Sequence, residues 1–264
     1  EKIMSTQSKG SLVNVGLGMT LGAHITPISR TFIEQADVVF VSASNRLVEQ
    51  WVETMNDHVI SLQQFYQEGK SRLNTYREMT EAILNEVRAG KKVCGAFYGH
   101  PGVFALPPHE TIKQARAEGY KAHMEPGISA EDCLYADLGI DPGKVGCAHF
   151  EASQFLFNHR PIDPSAYLVL WQVGIAGDKS LKVFETSQAK RQLLVDLLLD
   201  TYPSDHKVTL YECAVLPIEE TWQLTVSLGS LALQKMSMKT TLIIPPVKEK
   251  EPRVEVIDLA EKID

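Results

Sequence analysis

The most informative stretch of the chain is residues 96–104, Ala96-Phe97-Tyr98-Gly99-His100-Pro101-Gly102-Val103-Phe104, which follows an apolar run. A strand that ends in such a turn is typical of an α/β protein, in which ligands bind at the carboxyl ends of the strands. Glycine has no Cβ, so the backbone here can come close to a bound molecule. The same stretch also fits an ordinary turn between a strand and a helix, so other segments must decide between the two.

Short apolar runs alternate with longer amphipathic ones along the whole chain, which predicts an α/β protein. Strands are predicted at 11–15, 36–41, 59–62, 92–97, 167–173, 208–214 and 240–244, and helices at 28–35, 45–55, 75–89, after residue 129 and at 190–202. We expect two α/β domains, residues 11–124 and 125–247, with a ligand cleft between them. Residues 1–10 are expected to be disordered or derived from a tag, and 248–264 to be a charged, weakly ordered tail.

Composition excludes several classes of function. The net charge of −7 argues against a nucleic-acid partner, because phosphate binding needs clustered Lys and Arg. No apolar run approaches the roughly 20 residues of a membrane span, and the N-terminal residues do not form a signal peptide. The four cysteines have no metal-ligand spacing, so we expect no metal, no disulfide framework and a cytoplasmic protein with reduced thiols.

Two further glycine turns have a structural and a functional interpretation. Val15-Gly16-Leu17-Gly18 follows the first strand but lacks the third glycine and the acidic residue of a dinucleotide-binding fingerprint. Gly127 precedes Ser129, a good N-cap for the helix that follows. Each turn either ends an element or brings backbone N–H groups to a small polar ligand.

The segment 64–76 is unusual because it places an arginine on the inward face of a helix. Arg72 and Tyr76 are four residues apart, and Tyr76 is in phase with the apolar Met79 and Ile83. A tyrosine in such a stripe is more often part of the core, but a buried guanidinium needs a partner or a function. Among the histidines, His100 lies on a motif, whereas the others, including His109, are interpreted as surface or capping residues.

Taken together, 69–76, 98–104 and 125–134 resemble the borosin peptide α-N-methyltransferases, a branch of the tetrapyrrole (corrin/porphyrin) methylase superfamily. Segments 150–155, 170–174 and 241–246 also match, and the resemblance covers about residues 11–247. It implies a two-domain α/β fold of the tetrapyrrole-methylase type, with S-adenosylmethionine (SAM) in the interdomain cleft. The implied reaction is iterative N-methylation of backbone amides in a ribosomally synthesised precursor peptide, with S-adenosylhomocysteine as product and no metal.

The resemblance also implies site residues. The catalytic set would be Tyr66, Arg72, Tyr76 and Tyr98; the SAM site would be lined by Tyr98, His100, Val103, Ser129, Ala130 and Gln172, and, by a looser match, by Cys213, Thr240 and Thr241.

An amide N–H is a very weak acid, so methylation needs a base and a group that stabilises charge on the amide oxygen. We assign Tyr76 as the base, with its pKa lowered by Arg72. Arg72 would also stabilise the amide oxygen, assisted by Tyr66, and Tyr98 would position peptide and methyl donor.

The sequence departs from the fused members of this branch, in which a clasp region and the substrate peptide follow the methylase domain. Ending at Asp264, it fits either a split enzyme with a separate precursor peptide, which we favour, or a shortened fusion. The resemblance implies a homodimer, and a heterotetramer with the precursor. The alternatives are a methyltransferase of a tetrapyrrole or another small molecule, and a catalytically silent module that senses SAM or acts as a scaffold.

Overall fold

The computed structural model describes residues 9–43 and 45–263. Residues 1–8, to which most of the prediction for residues 1–10 applies, therefore lie outside the described residues. The chain divides into two compact units. The first unit contains the described residues up to Gly139, together with Lys179–Phe184 and Cys213–Trp222; the second contains Ile140–Asp178, Glu185–Glu212 and the described residues from Gln223 onward.

The first unit is built on a five-stranded sheet in the order β3-β2-β4-β1-β5. The strands are β1 (Ser11–Gly16), β2 (Val38–Ser42), β3 (Val59–Ser61), β4 (Lys92–Phe97) and β5 (Lys121–Met124), and all neighbours pair in parallel. Because the strands are parallel, their carboxyl ends lie along one edge, where the turns identified in the sequence follow β1, β4 and β5.

The helices of the first unit are α1 (Pro27–Gln35), α2 (Arg46–Glu53), α3 (Arg72–Arg88), α4 (Pro107–Ala117) and α5 (Ala130–Leu138). Helices α3 and α4 belong to one buried apolar cluster of the sheet, and α1 and α2 to another. Capping fixes the start of α5, where Ser129 and Asp132 form a capping box, and Gly139 ends it with a φ of 67°.

The second unit has a five-stranded sheet in the order β6-β7-β10-β8-β9. Its strands are β6 (Cys147–Glu151), β7 (Tyr167–Trp171), β8 (Lys207–Glu212), β9 (Trp222–Ser227) and β10 (Thr241–Ile244), and its helices are α6 (Pro142–Val145), α7 (Ala152–Phe157), α8 (Gln188–Leu199) and α9 (Val254–Ala260). Strands β6 and β7 pair in parallel, whereas β10 is antiparallel to β7 and to β8. The apolar core of this unit lies between the sheet and α7 and α8.

The structure differs from the sequence predictions in three places. The first unit continues to Gly139, past the expected boundary at 124/125, because the turn at Gly127 packs directly on backbone at Gly16 and Gly99. Helix α4 was not among the predicted helices. It begins at Pro107; proline disrupts the interior of a helix but is favoured at its first position. In the tail, which was expected to be weakly ordered, residues 254–260 form α9. Of the helices in the described part of the chain, none is long and apolar enough to cross a membrane.

Candidate active site

The three glycine turns meet at the carboxyl edge of the first sheet. The Gly18 N–H donates to the Gly99 carbonyl at 3.2 Å, and the Gly99 N–H donates to the Gly18 carbonyl at 2.8 Å. A Cβ placed on Gly16 would lie 2.8 Å from the Gly127 Cα, and one on Gly127 would lie 2.5 Å from the Gly99 oxygen. Gly16 and Gly127 therefore allow the turns to pack on each other, which supports the structural interpretation of the two turns.

This packing brings five of the predicted SAM-site residues together: Tyr98, His100, Val103, Ser129 and Ala130. A Cβ on Gly99 would be 3.8 Å from the Ser129 Cα, and one on Gly127 would be 3.3 Å from the His100 Cα. The Ser129 hydroxyl forms the capping box with Asp132. Ser129 therefore both caps α5 and lies beside the loop that contains Gly99. The spacing of residues in the sequence does not predict that residues 98–103 and residues 129–130 are neighbours.

Cys213 joins the same unit through the segment Cys213–Trp222. Its thiol shares a hydrogen bond with the Cys133 thiol on α5, and that bond, followed by burial, raises the pKa of Cys133. The segment is also fixed by the Leu21 N–H, which donates to the Val215 carbonyl at 2.8 Å. Cys213 therefore lies beside the helix that begins at Ala130.

The remaining three predicted residues share one end of the second sheet. Gln172 follows β7 with a φ of 55°, and the next residue, Val173, donates its N–H to the Thr240 carbonyl at 3.1 Å. The Thr240 hydroxyl donates to the Glu212 carboxylate at 2.9 Å, and Thr241 is the buried first residue of β10. The predicted SAM residues therefore form two groups, one within each unit.

The four predicted catalytic residues lie together within the first unit. Arg72 is the first residue of α3 and Tyr76 lies one turn later; Tyr66 follows the short 3₁₀ helix Leu62–Phe65, and Tyr98 follows β4. The Tyr66 and Tyr76 phenols are close enough to interact. Burial is the largest cause of the raised pKa of Tyr66, to which the neighbouring phenols Tyr76 and Tyr98 add, whereas the interaction with Tyr66 lowers the pKa of Tyr76. The charge of Arg72 lowers the pKa of both phenols, so all of these groups are within electrostatic range.

Arg72 is only 6% exposed, and backbone carbonyls hold it in place. Its guanidinium donates to the Val183 carbonyl at 2.6 Å, and its backbone N–H donates to the Leu181 carbonyl at 2.8 Å. Nearby, the Gly69 N–H donates to the Lys182 carbonyl at 3.1 Å. No sequence pattern predicts these contacts of Arg72, because any residue type supplies a backbone carbonyl.

Tyr66 is positioned from the other side by the first turns of α3. The Lys70 ammonium donates a hydrogen bond to the Phe65 carbonyl at 2.9 Å and forms an ion pair with Glu78 at 2.6 Å. The hydroxyl of the buried Thr75 donates to the same Phe65 carbonyl at 3.3 Å. The chain that leads into Tyr66 is thereby tied to the helix that carries Arg72 and Tyr76.

Burial dominates the acidity of the phenols. Burial raises the pKa of Tyr76 above its ordinary value, and although Arg72 and the Tyr66 hydroxyl lower it, they do not reverse the shift. The expectation of a lowered Tyr76 pKa is therefore wrong in its net direction and right in the sign of Arg72's contribution. Desolvation and the charge of Tyr76 also raise the pKa of Tyr98, but solvent reduces this effect because Tyr98 is 51% exposed.

The described residues contain no group of three or more His, Cys, Asp or Glu side chains able to hold a metal ion. The donors at the edge of the first sheet suit an uncharged nucleoside better than a phosphate, because they are a phenol, an imidazole and small or apolar side chains. The Gly102 N–H donates to His100 Nδ1 at 2.9 Å, so the proton of a neutral His100 lies on Nε2 and that atom is a hydrogen-bond donor. These residues fit the adenosine part of SAM in chemical type.

Comparison with known proteins gives consistent results for sequence and fold. Residues 11–229 match the family described as tetrapyrrole (corrin/porphyrin) methylases. Two solved structures share the fold: the uroporphyrin-III-C-methyltransferase of Thermus thermophilus (TM-score 0.64, 19% identity, 90% of this chain and 93% of that one) and the cobalt precorrin-4 methyltransferase (TM-score 0.60, 16% identity, 89% and 94%).

Curated relatives at higher identity carry a methyltransferase and a peptide precursor in one protein. The methyltransferase and ribosomally synthesized cyclic peptide dendrothelin A precursor of Dendrothele bispora is 40% identical over 97% of this chain and 63% of its own length. The methyltransferase and ribosomally synthesized type I borosin cyclic peptide precursor of Coprinopsis marcescibilis is 43% identical over 90% of this chain and 62% of its own length. The chain thus spans about three fifths of the length of these relatives.

Proposed function

Because the chain belongs to the tetrapyrrole (corrin/porphyrin) methylase family, we propose that it is a SAM-dependent methyltransferase. We propose further that its substrate is a ribosomally synthesised peptide, which it methylates iteratively on backbone amide nitrogens. The second step is supported by the curated relatives, whose names join a methyltransferase to a cyclic peptide precursor.

The observation that carries the proposal is the cluster of Arg72 with Tyr66, Tyr76 and Tyr98. A backbone amide is a poor nucleophile, because its nitrogen lone pair is delocalised into the carbonyl. Its methylation calls for a base of high proton affinity and a cation at the carbonyl oxygen. A phenol whose pKa stays above its ordinary value, beside a guanidinium held by backbone carbonyls, supplies both.

In the proposed reaction, the Tyr76 phenolate takes the proton from the amide nitrogen, and the negative charge moves onto the amide oxygen. The Arg72 guanidinium stabilises that oxygen, and the Tyr66 hydroxyl stabilises the phenolate before the transfer by donating to it. SAM, when bound, supplies a methyl group activated by its sulfonium. The amide nitrogen then forms its new bond to that methyl carbon as the carbon–sulfur bond breaks, and Tyr76 returns its proton to solvent.

Of this chain's residues, Tyr98, His100, Val103, Ser129, Ala130 and Cys213 of the first unit would hold SAM, with Gln172, Thr240 and Thr241 of the second as further candidates. His100 would donate through Nε2, and Tyr98 would contribute its aromatic face and hydroxyl. The positions of Val103 and Ala130 beside this loop suit the apolar faces of a nucleoside.

We also propose that the peptide arrives as a separate chain, that the enzyme is a homodimer and forms a heterotetramer with the peptide, and that the reaction takes place in the cytoplasm. None of the four cysteines, all of which are described by the structure, forms a disulfide, which agrees with a reducing compartment. Light scattering of the enzyme alone and with the peptide tests the stoichiometry.

The experiment that tests the function is transfer of a labelled methyl group from SAM to offered acceptors. Purified protein is incubated with methyl-labelled SAM and, in parallel, with candidate precursor peptides and with a tetrapyrrole. Label in peptide that is lost in the Arg72→Ala variant supports the proposal. Label in the tetrapyrrole alone would replace it with the small-molecule reaction, and the absence of SAM binding by calorimetry would favour a silent module.

A further inference from the structure

Gly102, in the loop that carries Tyr98, His100 and Val103, lies between two imidazole rings. Its N–H donates to His100 Nδ1 at 2.9 Å, and its carbonyl oxygen lies 2.8 Å from His109 Nε2. A carbonyl oxygen only accepts, so His109 must carry a proton on Nε2 and donate it. A Cβ at Gly102 would lie 3.1 Å from His109 Nε2 and 3.2 Å from His100 Cε1, so both rings are in close contact with the backbone here.

The backbone around His109 is fixed to β1, an interior strand of the first sheet. Asn14, fully buried in β1, donates its side-chain amide to the Pro108 carbonyl at 2.9 Å and to the Thr111 hydroxyl at 3.0 Å. These bonds hold the first turn of α4, which carries His109, against the strand. A side chain on backbone fixed in this way can hold a neighbouring loop in one position.

The loop from Tyr98 to Phe104 contains a residue with a strained backbone. Phe104 adopts a φ of 51°, a backbone conformation that non-glycine residues rarely take, and its side chain is half exposed. Tyr98, at the other end of the loop, is also half exposed. Between these ends, the hydrogen bonds of Gly102 with the two histidines join the loop to α4 and fix the orientation of the His100 ring.

We propose that His109 is a positioning residue for the methyl donor: its Nε2–H holds the Gly102 carbonyl and thereby presents His100 and Val103 to SAM. This inference rests on the proposed function. It assigns a role to a histidine that the sequence pattern placed among surface or capping residues. His109 is not a catalytic residue, so its loss should weaken SAM binding and leave the chemical step intact.

The test compares three variants of His109 in the full chain. His109→Ala removes the donor, His109→Gln keeps an amide N–H at a similar reach, and His109→Glu has the length of Gln but only accepts. His58→Ala, an exposed histidine before β3, is the matched control. SAM affinity is measured by calorimetry, KM and kcat by methyl transfer, and folding by the melting temperature.

We expect His109→Ala and His109→Glu to lose about 3- to 10-fold in SAM affinity, because one hydrogen bond is lost and the loop is held less firmly. KM for SAM should rise by the same factor, kcat at saturating SAM should stay within about twofold, and His109→Gln should restore most of the affinity.

Affinity of His109→Ala within twofold of the wild type, or a Gln variant as weak as the Glu variant, would overturn the inference while leaving the proposed function standing. A wild-type protein that does not bind SAM would overturn both. If His109→Ala folds poorly, the Gln and Glu variants decide, since they differ in donation and not in length.

Discussion

Replacing Tyr66 with phenylalanine should move the pH dependence of methyl transfer to higher pH. The Tyr66 hydroxyl lowers the pKa of Tyr76, and it can donate a hydrogen bond to the Tyr76 phenolate once that phenolate has formed. A hydrogen bond to a charged group contributes about 1.5–3 kcal/mol, which corresponds to a factor of about 10 to 100 in an equilibrium constant. Without the Tyr66 hydroxyl the Tyr76 pKa should rise further, and the rate at a pH below both pKa values should fall by about 10- to 100-fold.

The assay is single-turnover methyl transfer to a peptide, with SAM saturating, followed from neutral to strongly alkaline pH. The rate of Tyr66→Phe should approach that of the wild type as the pH rises, because the base remains and only its pKa has changed. The change removes one hydroxyl from a half-buried ring, so the melting temperature should fall by no more than a few degrees. Tyr120→Phe, at the far end of α4, controls for loss of a tyrosine hydroxyl from the same unit.

Two results would refute this reasoning. A rate that is lower by the same factor at every pH would mean that Tyr66 acts on peptide or oxygen and not on the acidity of Tyr76. An unchanged profile would mean that Tyr66 does not stabilise the Tyr76 phenolate in the working enzyme.

Three other predictions concern the same cluster and the loop beside it. The wild-type single-turnover rate should rise about tenfold per pH unit with no plateau below pH ~10, because the Tyr76 pKa is raised and only the phenolate accepts a proton; a plateau near neutrality would contradict this. Tyr76→Phe should lower that rate by about 10²- to 10⁴-fold with SAM affinity unchanged by calorimetry, and near-full activity would remove Tyr76 as the base. Gly102→Ala should weaken SAM binding by about tenfold or more, since its Cβ would lie 2.8 Å from Met124 Sδ and 3.1 Å from His109 Nε2. Gly22→Ala is strained only in its own backbone, at a φ of 74°, and its Cβ would have no atom within 4 Å, so it should leave SAM affinity unchanged; equal affinities in the two variants would contradict the packing argument.

The sequence predicted the parts of the site that follow from local periodicity. The four-residue spacing of Arg72 and Tyr76 and the phase of Met79 placed both side chains on the inward face of α3, and the structure has Arg72 buried there. The strands of the parallel sheet were also predictable, because buried β-branched runs such as Val38–Ser42 are bounded by turn residues.

What the sequence could not predict depends on contacts between distant segments. The carbonyls of Leu181 and Val183 hold Arg72 across more than a hundred residues of chain, and a carbonyl has no side-chain signature. The net direction of the Tyr76 pKa was missed because burial, which depends on the packed fold, exceeds the influence of a neighbouring charge that spacing made visible. The hydrogen bond of the exposed His109 could not be predicted, because its acceptor is likewise a backbone oxygen.

Tandem mass spectrometry of a precursor peptide incubated with this protein and SAM shows directly whether backbone amides are methylated. With the wild type we expect successive gains of one methylene mass, located by fragmentation on backbone nitrogens, and with Tyr76→Phe we expect these gains to be lost. Methyl groups located only on side chains or termini, or a peptide that stays unmodified while SAM is bound, would contradict the proposed function.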